Sequence, residues 1–244
     1  MSQRWTVILA SLLVSSGCGL HQAAPGQPAA NLEPIPPAKI LDFASLYGSN
    51  CAGCHGQNGS GGAAIGLGDP VYLAIADDAT ITRVTADGVP GTAMPAFARR
   101  SGGMLTDDQI SAIVRGIRSH WAKPDALRGA EAPPYAAPQT GDAQRGAGVY
   151  GTFCSSCHGP DGTGGVRAGS IVDGTYLALV SDQGLRTTVI AGRPDLNAPD
   201  WRSNVPGTPM SPQDVSDVVA WLVAQRPALP GQPDFSARIR GGVQ

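Results

Sequence analysis

Apolar residues in two distant segments follow the period of an amphipathic helix. In each segment four apolar side chains recur at i, i+3, i+4 and i+7, a spacing that aligns them along one helix face. They are Ile110, Ile113, Val114 and Ile117 in the first segment and Val215, Val218, Val219 and Leu222 in the second. No comparably clear alternation of apolar and polar residues indicates a strand, so the pattern predicts an all-α protein.

The two helices close two copies of one sequence unit. Matching residues recur at a shift of about 104 positions, which is the signature of an internal duplication. The matched pairs include Tyr47 with Tyr150, Gly59 with Gly162, Tyr72 with Tyr176, Gly88 with Gly192 and Phe97 with Trp201. The repeat predicts domains at residues 38–122 and 140–227, joined by a Pro- and Ala-rich linker at 123–139 that could pack across both copies.

The N-terminal segment has the features of an export signal. A positive residue precedes an apolar run at 5–14 that is too short to cross a bilayer comfortably. Small residues then lead to Cys18, which resembles the lipidated cysteine of a bacterial lipoprotein. We therefore expect a signal peptide at 1–18 and a lipid anchor on Cys18.

The segment after Cys18 is predicted to be a tether. Residues 19–37 are rich in Pro and Ala and contain no apolar pattern that could join a core. Cleavage after Ala24 or Ala30 would instead release a soluble periplasmic protein. The Pro- and Gly-rich tail at 228–244 is expected to be irregular.

Composition and charge narrow the class of protein. The 244 residues carry a formal net charge of -2, which argues against a nucleic-acid-binding protein because such proteins usually have a basic excess. Aromatic residues make up only 5% of the chain, while glycine (33) and proline (21) are abundant. This composition suits small domains whose interiors contain something besides side chains.

Four of the five cysteines fall in two strings of the form Cys-x-x-Cys-His. The strings are Cys51-Ala-Gly-Cys54-His55 in the first copy and Cys154-Ser-Ser-Cys157-His158 in the second. Two thiols on one helical turn can each form a thioether to a haem vinyl group, and the following histidine then ligates the iron. A zinc site would need two further ligands in each copy, and neither copy supplies them. The strings predict two covalently bound haem c groups, with the glycines at 59–62 and 162–165 letting the backbone approach the haem edge.

With these strings, both copies resemble the class I cytochromes c. The resemblance covers most of the chain outside the leader, linker and tail, and it implies an all-α fold of two tandem class I cytochrome c domains. In that family a loop after the cysteine string supplies a methionine, often followed by proline, as the second axial ligand. Met94 precedes Pro95 in the first copy, so the resemblance implies that Met94 ligates the first haem. Met104 is the rival, but it lies just before a helix start and is expected to pack against that helix.

The second copy departs from the family pattern at this position. The residue that matches Met94 is Ala198, which cannot ligate iron. Met210 matches Leu105, where it would pack next to a helix N-cap. Three outcomes stay open: the loop refolds and Met210 binds the second iron, the distal side holds no protein ligand, or another group such as Asn197 or a ligand from the other domain binds there.

The resemblance implies an electron carrier and not an enzyme, and no catalytic residues are predicted. Its redox partners would be a quinol-oxidising complex or dehydrogenase as donor and a terminal oxidase or reductase as acceptor. We expect it on the periplasmic side of a bacterial membrane, held there by the lipid anchor. Two other interpretations stay open: a small-ligand or peroxidase-like site at a five-coordinate second haem, and a fixed cytochrome subunit of a larger oxidoreductase complex.

Overall fold

The computed structural model describes residues 34–227, and this part of the chain contains ten α-helices and no β-strand. The helices are α1 (Phe43–Asn50), α2 (Ala52–His55), α3 (Pro70–Ile75), α4 (Asp78–Asp87), α5 (Asp107–Trp121), α6 (Ala143–Phe153), α7 (Ser155–His158), α8 (Gly174–Leu179), α9 (Asp182–Ala191) and α10 (Pro212–Ala224). The prediction of an all-α fold is confirmed. The expected export signal, Cys18, most of the tether and the tail lie outside the described residues.

Short polar side chains define where most helices begin. At eight of the ten described helices the N-cap side chain accepts a hydrogen bond from the backbone amide three residues on, which satisfies one of the free amides of the first turn. The N-caps are Asp42, Asp69, Asp77, Thr106, Asp142, Asp173, Ser181 and Ser211. Helices α5 and α10 also have a capping box, in which the side chains of Gln109 and Asp214 accept a hydrogen bond from the backbone amide of the N-cap residue.

Each copy is built around the contact between its first and last long helices. Helix α5 packs against α1 in the first copy, and α10 packs against α6 in the second. The eight periodic apolar residues are all buried, each no more than 9% exposed. Six lie in the main hydrophobic cluster, and Val219 and Leu222 form a second cluster with Leu177 and Leu185. A glycine allows each close approach: Gly116 of α5 lies against the Phe43 ring, and Gly146 of α6 lies against the Asp217 carbonyl group.

Replacing Gly146 by alanine should destabilise the second copy. A Cβ at this position would lie 2.0 Å from the Asp217 carbonyl oxygen, so α6 and α10 would have to separate. We expect the free energy of unfolding to fall by about 1–3 kcal/mol, the usual cost of overpacking a core. Gly148 lies on the same helix and is the matched control, because a Cβ there meets nothing within 4 Å.

The control variant Gly148→Ala should raise stability by up to about 1 kcal/mol, since alanine is the better helix former. Denaturant unfolding of the haem-loaded protein measures both variants. Equal stabilities for Gly146→Ala and Gly148→Ala would contradict the proposed close contact.

The buried carboxylate of Asp217 links α10 to the start of α6. Its side chain is only 4% exposed. It accepts hydrogen bonds from the Asp142 amide (2.7 Å), the Gln213 side chain (2.8 Å) and the Arg145 guanidinium (2.9 and 3.0 Å). The Arg145 hydrogen bonds are the largest cause that lowers the pKa of Asp217 from 3.8 to about 2.

The Asp217 contact should make part of the stability acid-dependent. Because its folded-state pKa lies below the unfolded value of 3.8, this contribution is fully present above about pH 4 and is lost as the pH falls toward about 2. Arg145 is 59% exposed, so solvent screening should limit the contribution to about 1–2 kcal/mol. Unfolding of Asp217→Asn beside wild type measures it. The stability difference should shrink between about pH 4 and about pH 2, and a constant difference would count against the assignment.

The linker packs against the core of the protein. Buried Arg186 donates to the carbonyl oxygens of Pro134 (2.9 Å) and Tyr135 (3.1 Å). Arg202 donates to the Leu127 carbonyl oxygen (2.8 Å). Leu127 and Tyr135 also contact the main hydrophobic cluster, which contains residues of both copies. The linker therefore contributes to the structure of the repeat pair.

Candidate haem sites

Both Cys-x-x-Cys-His strings lie where a helix ends and a one-turn helix follows. Cys51 is the C-cap of α1 and the N-cap of α2. Cys154 is likewise the C-cap of α6 and the N-cap of α7. The cysteines of both strings are free thiols, with Cys51 buried and Cys54 exposed. Burial, with a smaller effect of the neighbouring thiol, raises the pKa of Cys51 and of Cys154 to about 11. Both are therefore neutral thiols near pH 7 before haem is attached.

The two histidines make equivalent hydrogen bonds. Nδ1 of His55 lies 2.8 Å from the Ile65 carbonyl oxygen, and Nδ1 of His158 lies 2.8 Å from the Gly169 carbonyl oxygen. A carbonyl oxygen only accepts, so Nδ1 of each ring carries a proton and Nε2 is the nitrogen that remains to bind iron. Burial lowers the pKa of His55, although its bond to Ile65 opposes this in part. Each ring is thus oriented as an axial iron ligand requires.

The glycines after each string serve the tight turns of the chain itself. A Cβ on Gly62 would lie 2.2 Å from the Cys54 carbonyl oxygen, and one on Gly165 would lie 2.8 Å from the Cys157 carbonyl oxygen. The loop after each string therefore folds back onto the string. Contact between backbone groups thus leaves no room for a side chain at Gly62 and Gly165, and the approach of these loops to a haem edge stays a prediction.

Met94 lies in the loop between α4 and α5. The Val89 amide donates to the Met94 carbonyl oxygen (3.0 Å), and the Met94 amide donates to Thr92 Oγ1 (3.2 Å). The expectation that Met104 packs against α5 is wrong, because Met104 is 80% exposed. Leu105, which directly precedes the N-cap, is 6% exposed and takes that place.

The second copy repeats this loop without the methionine. The Arg193 amide donates to the Ala198 carbonyl oxygen (3.0 Å), and in the first copy the Val89 amide donates to the Met94 carbonyl oxygen (3.0 Å). Ala198 therefore has the structural position of Met94, as the repeat alignment predicts. Its side chain offers no donor atom to iron.

Met210 has the backbone position of Leu105. The Met210 amide donates to the Trp201 carbonyl oxygen (2.9 Å), and the Leu105 amide donates to the Phe97 carbonyl oxygen (2.8 Å). The two copies thus share this hydrogen bond, although the second copy has one more residue between Trp201 and Met210 than the first has between Phe97 and Leu105. Met210 is 2% exposed, and its Sδ lies 3.9 Å from the Asn204 side-chain nitrogen.

A cavity of about 450 Å³ adjoins the second string. His158 lines it together with Ala198, Met210, Asn197 and Asn204. Further apolar walls come from Phe153, Ile171, Leu185, Val189, Val218 and Leu222. The cavity therefore brings together the predicted proximal histidine and both residues at which the second copy differs from the first.

These arrangements fit two haem c groups. Each string offers two free thiols on one helical turn and an imidazole whose Nε2 is available, and the second string opens onto a mainly apolar cavity. The residues that would hold them are Cys51, Cys54 and His55 at the first site and Cys154, Cys157 and His158 at the second. Haem c, when bound, supplies an iron that changes between the ferrous and ferric states.

Comparison with protein families agrees with this reading of the two sites. Residues 38–115 match the family of cbb3-type cytochrome c oxidase subunit III, and residues 143–225 match the cytochrome c family. Together the two matches cover about two thirds of the chain. The chain belongs to the cytochrome c family. It is a tandem form with two covalently bound haem c groups, one in each copy.

Curated relatives of this tandem cytochrome c include subunits of respiratory complexes. The cytochrome bc1 complex cytochrome c subunit of Mycobacterium tuberculosis is 26% identical over 177 residues, covering 67% of this chain and 61% of that protein. The cbb3-type cytochrome c oxidase subunit CcoP of Azospirillum brasilense is 29% identical over 167 residues, covering 61% of this chain and 51% of that protein. The chain therefore spans between half and two thirds of the length of these relatives.

One solved structure that matches this chain comes from Kuenenia stuttgartiensis. It is a reducing HAO-like protein complex, 17% identical to this chain with a TM-score of 0.40, covering 80% of this chain and 100% of that one. Within residues 34–227 of the present protein, no helix has both the length and the apolar character that a bilayer crossing needs.

Sequence reasoning missed the backbone acceptors that orient the two histidines. The carbonyl groups of Ile65 and Gly169 lie 10 and 11 residues after His55 and His158, and no side-chain motif marks them. The similar loop length in both copies is the one signal that could have identified them.

Proposed function

We propose that this tandem cytochrome c carries electrons in a bacterial respiratory chain. The observation that supports this most directly is the pair of equivalent sites, each with a histidine whose Nδ1 is held by a backbone carbonyl oxygen at 2.8 Å. Electrons enter from a quinol-oxidising complex or a dehydrogenase and leave to a terminal oxidase or reductase. The relatives named as subunits of the bc1 complex and of the cbb3 oxidase support partners of this kind.

The protein's own residues hold the cofactors and set their potentials. We assign His55 and Met94 as the axial ligands of the first haem and His158 as the proximal ligand of the second. Met210 is our candidate on the other side of the second haem, because it is buried and lines the same cavity as His158. A methionine ligand raises the reduction potential of a haem. The ligand at this position therefore decides whether the two haems have similar reduction potentials.

The proposed location is the periplasmic face of a bacterial membrane. Residues 1–18 form the proposed export signal, with Cys18 as lipid-anchored residue and 19–37 as the tether. Bacterial lipoproteins generally carry more than one acyl chain, and two anchoring signals hold a protein stably where a single chain would not. The carrier would then diffuse in the plane of the membrane between its donor and acceptor, with the domains at 38–122 and 140–227 on the periplasmic side.

Electron exchange with respiratory membranes tests this function. The reduced, haem-loaded protein is mixed with bacterial membranes that contain an active terminal oxidase, and both haems should be oxidised in a reaction that oxidase inhibitors stop. The oxidised protein should be reduced in turn by membranes supplied with quinol. Failure of both reactions would exclude the proposed route.

A second candidate function is binding of a small ligand at the second haem. Ala198 favours it, because the first copy has Met94 at the same structural position. This function requires Met210 to remain a packing residue like Leu105. Rapid binding of carbon monoxide to one haem of the reduced protein would support it, and no binding would remove it.

A further inference from the structure

Arg193 and Asp195 form a paired group in the loop after α9. The Arg193 guanidinium donates from Nε to Asp195 Oδ1 (2.9 Å) and from Nη2 to Asp195 Oδ2 (2.7 Å). Both side chains are only 17% exposed. The Arg193 hydrogen bonds hold the pKa of Asp195 below its usual value, so the pair stays charged near neutral pH. Such a two-point contact fixes the orientation of both side chains.

This pair binds the loop that follows the first cysteine string. Arg193 Nη2 donates to the Gly62 carbonyl oxygen (2.8 Å), and the Gly61 amide donates to Asp195 Oδ2 (3.2 Å). Gly62 lies directly against the carbonyl group of Cys54, with no room for a Cβ. Arg193 also lines the cavity beside the second string. One route of contacts and hydrogen bonds thus leads from Cys54 at the first site to the cavity of the second.

A second contact between the copies involves the Met94 loop. The amide of Ala93, the residue before Met94, donates to the Leu179 carbonyl oxygen at the end of α8 (3.3 Å). The second copy therefore touches both loops of the first site: the one that follows the cysteine string and the one that carries Met94.

The first copy lacks the charged pair. The residues that match Arg193 and Asp195 are Val89 and Gly91, which cannot form an ion pair. The two loops nevertheless share a backbone hydrogen bond of 3.0 Å, which the Val89 amide donates in the first copy and the Arg193 amide donates in the second. The domain fold therefore does not require charged side chains at these two places, and contact with the neighbouring copy accounts for them.

We propose that Arg193 and Asp195 are positioning residues that clamp the second domain onto the first and thereby set the rate of electron transfer between the two haem sites. This inference rests on the proposed electron-carrier function. The step moves one electron from one site to the other, oxidising one iron and reducing the other, with no bond made or broken. The clamp acts by holding the two sites in one relative position, and neither side chain changes its protonation.

Two variants of the haem-loaded protein test the clamp. Arg193→Val introduces the residue of the first copy, and Asp195→Ala leaves Arg193 in the cavity wall while removing its partner. The control is Arg100→Val, since Arg100 forms ion pairs with Asp87 and Asp107 of the first copy and with no other residue among 34–227. The rate of electron transfer between the sites is measured after the protein has been rapidly and partly reduced. Midpoint potentials are measured for each variant, so that the rates can be corrected for differences in driving force.

Hydrogen exchange at the Gly61 amide provides a readout that is independent of electron transfer. Loss of its acceptor in Asp195→Ala should speed exchange about fivefold, the effect of one ordinary hydrogen bond. Electron transfer between the sites should slow severalfold in both clamp variants and stay unchanged in Arg100→Val.

Unchanged transfer rates in both clamp variants would overturn the inference, whether or not exchange at Gly61 becomes faster. So would an equal slowing in Arg100→Val. Because the rate between the sites is measured without any partner, these outcomes are separate from a failure to exchange electrons with respiratory membranes, which would overturn the proposed function instead.

Discussion

Replacing Met94 by alanine is expected to lower the midpoint potential of the first haem by roughly a few tenths of a volt. Axial ligands set haem potentials over a range of roughly 0.8 V, and methionine lies toward its upper end. Alanine removes the thioether, and the repeat itself shows that this loop keeps its backbone frame with alanine, because Ala198 has the same hydrogen bond at 3.0 Å. Potentiometric titration followed by haem absorption measures the change.

Met104→Ala is the matched control for this variant. Met104 is a methionine of the same copy, but its 80% exposure leaves it without a packing role. Both midpoints should match wild type in the control, and only one midpoint should move in Met94→Ala. If Met94→Ala left both potentials in place, Met94 would not be an axial ligand.

Replacing Met210 by leucine is expected to have an equally large effect at the second haem. Leucine is the residue of the first copy at this position, with the same amide hydrogen bond and similar burial, so the substitution should cost less than about 1.5 kcal/mol in stability. If Met210 ligates the second iron, the second midpoint should fall by roughly a few tenths of a volt. Near-infrared magnetic circular dichroism should show methionine ligation at one haem in place of two.

A second substitution in the same copy, Ala198→Met, completes this test. It places a methionine at the Met94 position of the second copy, so in the Met210→Leu background it should restore a high second potential. If Met210 is instead a packing residue, Met210→Leu should leave both midpoints unchanged and Ala198→Met alone should raise the second one. That pair of results would contradict ligation by Met210 and favour the small-ligand function.

The helices and the two cysteine strings could be predicted because their signals are local. The spacing of Ile110, Ile113 and Ile117 defines one helix face whatever lies opposite, and the N-cap at Ser211 with Asp214 is set within four residues. The pairing of Ala198 with Met94 was equally accessible, since the repeat provides an internal alignment.

Other features depend on contacts that the sequence does not encode locally. The acceptors for the two histidines are backbone carbonyl groups, which every residue possesses, so nothing in the sequence distinguishes Ile65 or Gly169. Met104 and Leu105 are adjacent apolar residues before the same helix, and only their positions relative to the core decide that the first is exposed and the second buried. The contact of Arg193 with Gly62 joins residues 131 positions apart.

The intact mass of the mature protein tests the central claim most directly. Protein produced in a host that attaches haem to exported cytochromes should carry the added mass of two haem groups, and peptide mapping should find one on the Cys51–Cys54 peptide and one on the Cys154–Cys157 peptide. An unmodified polypeptide, or haem on only one of the two strings, would contradict the account.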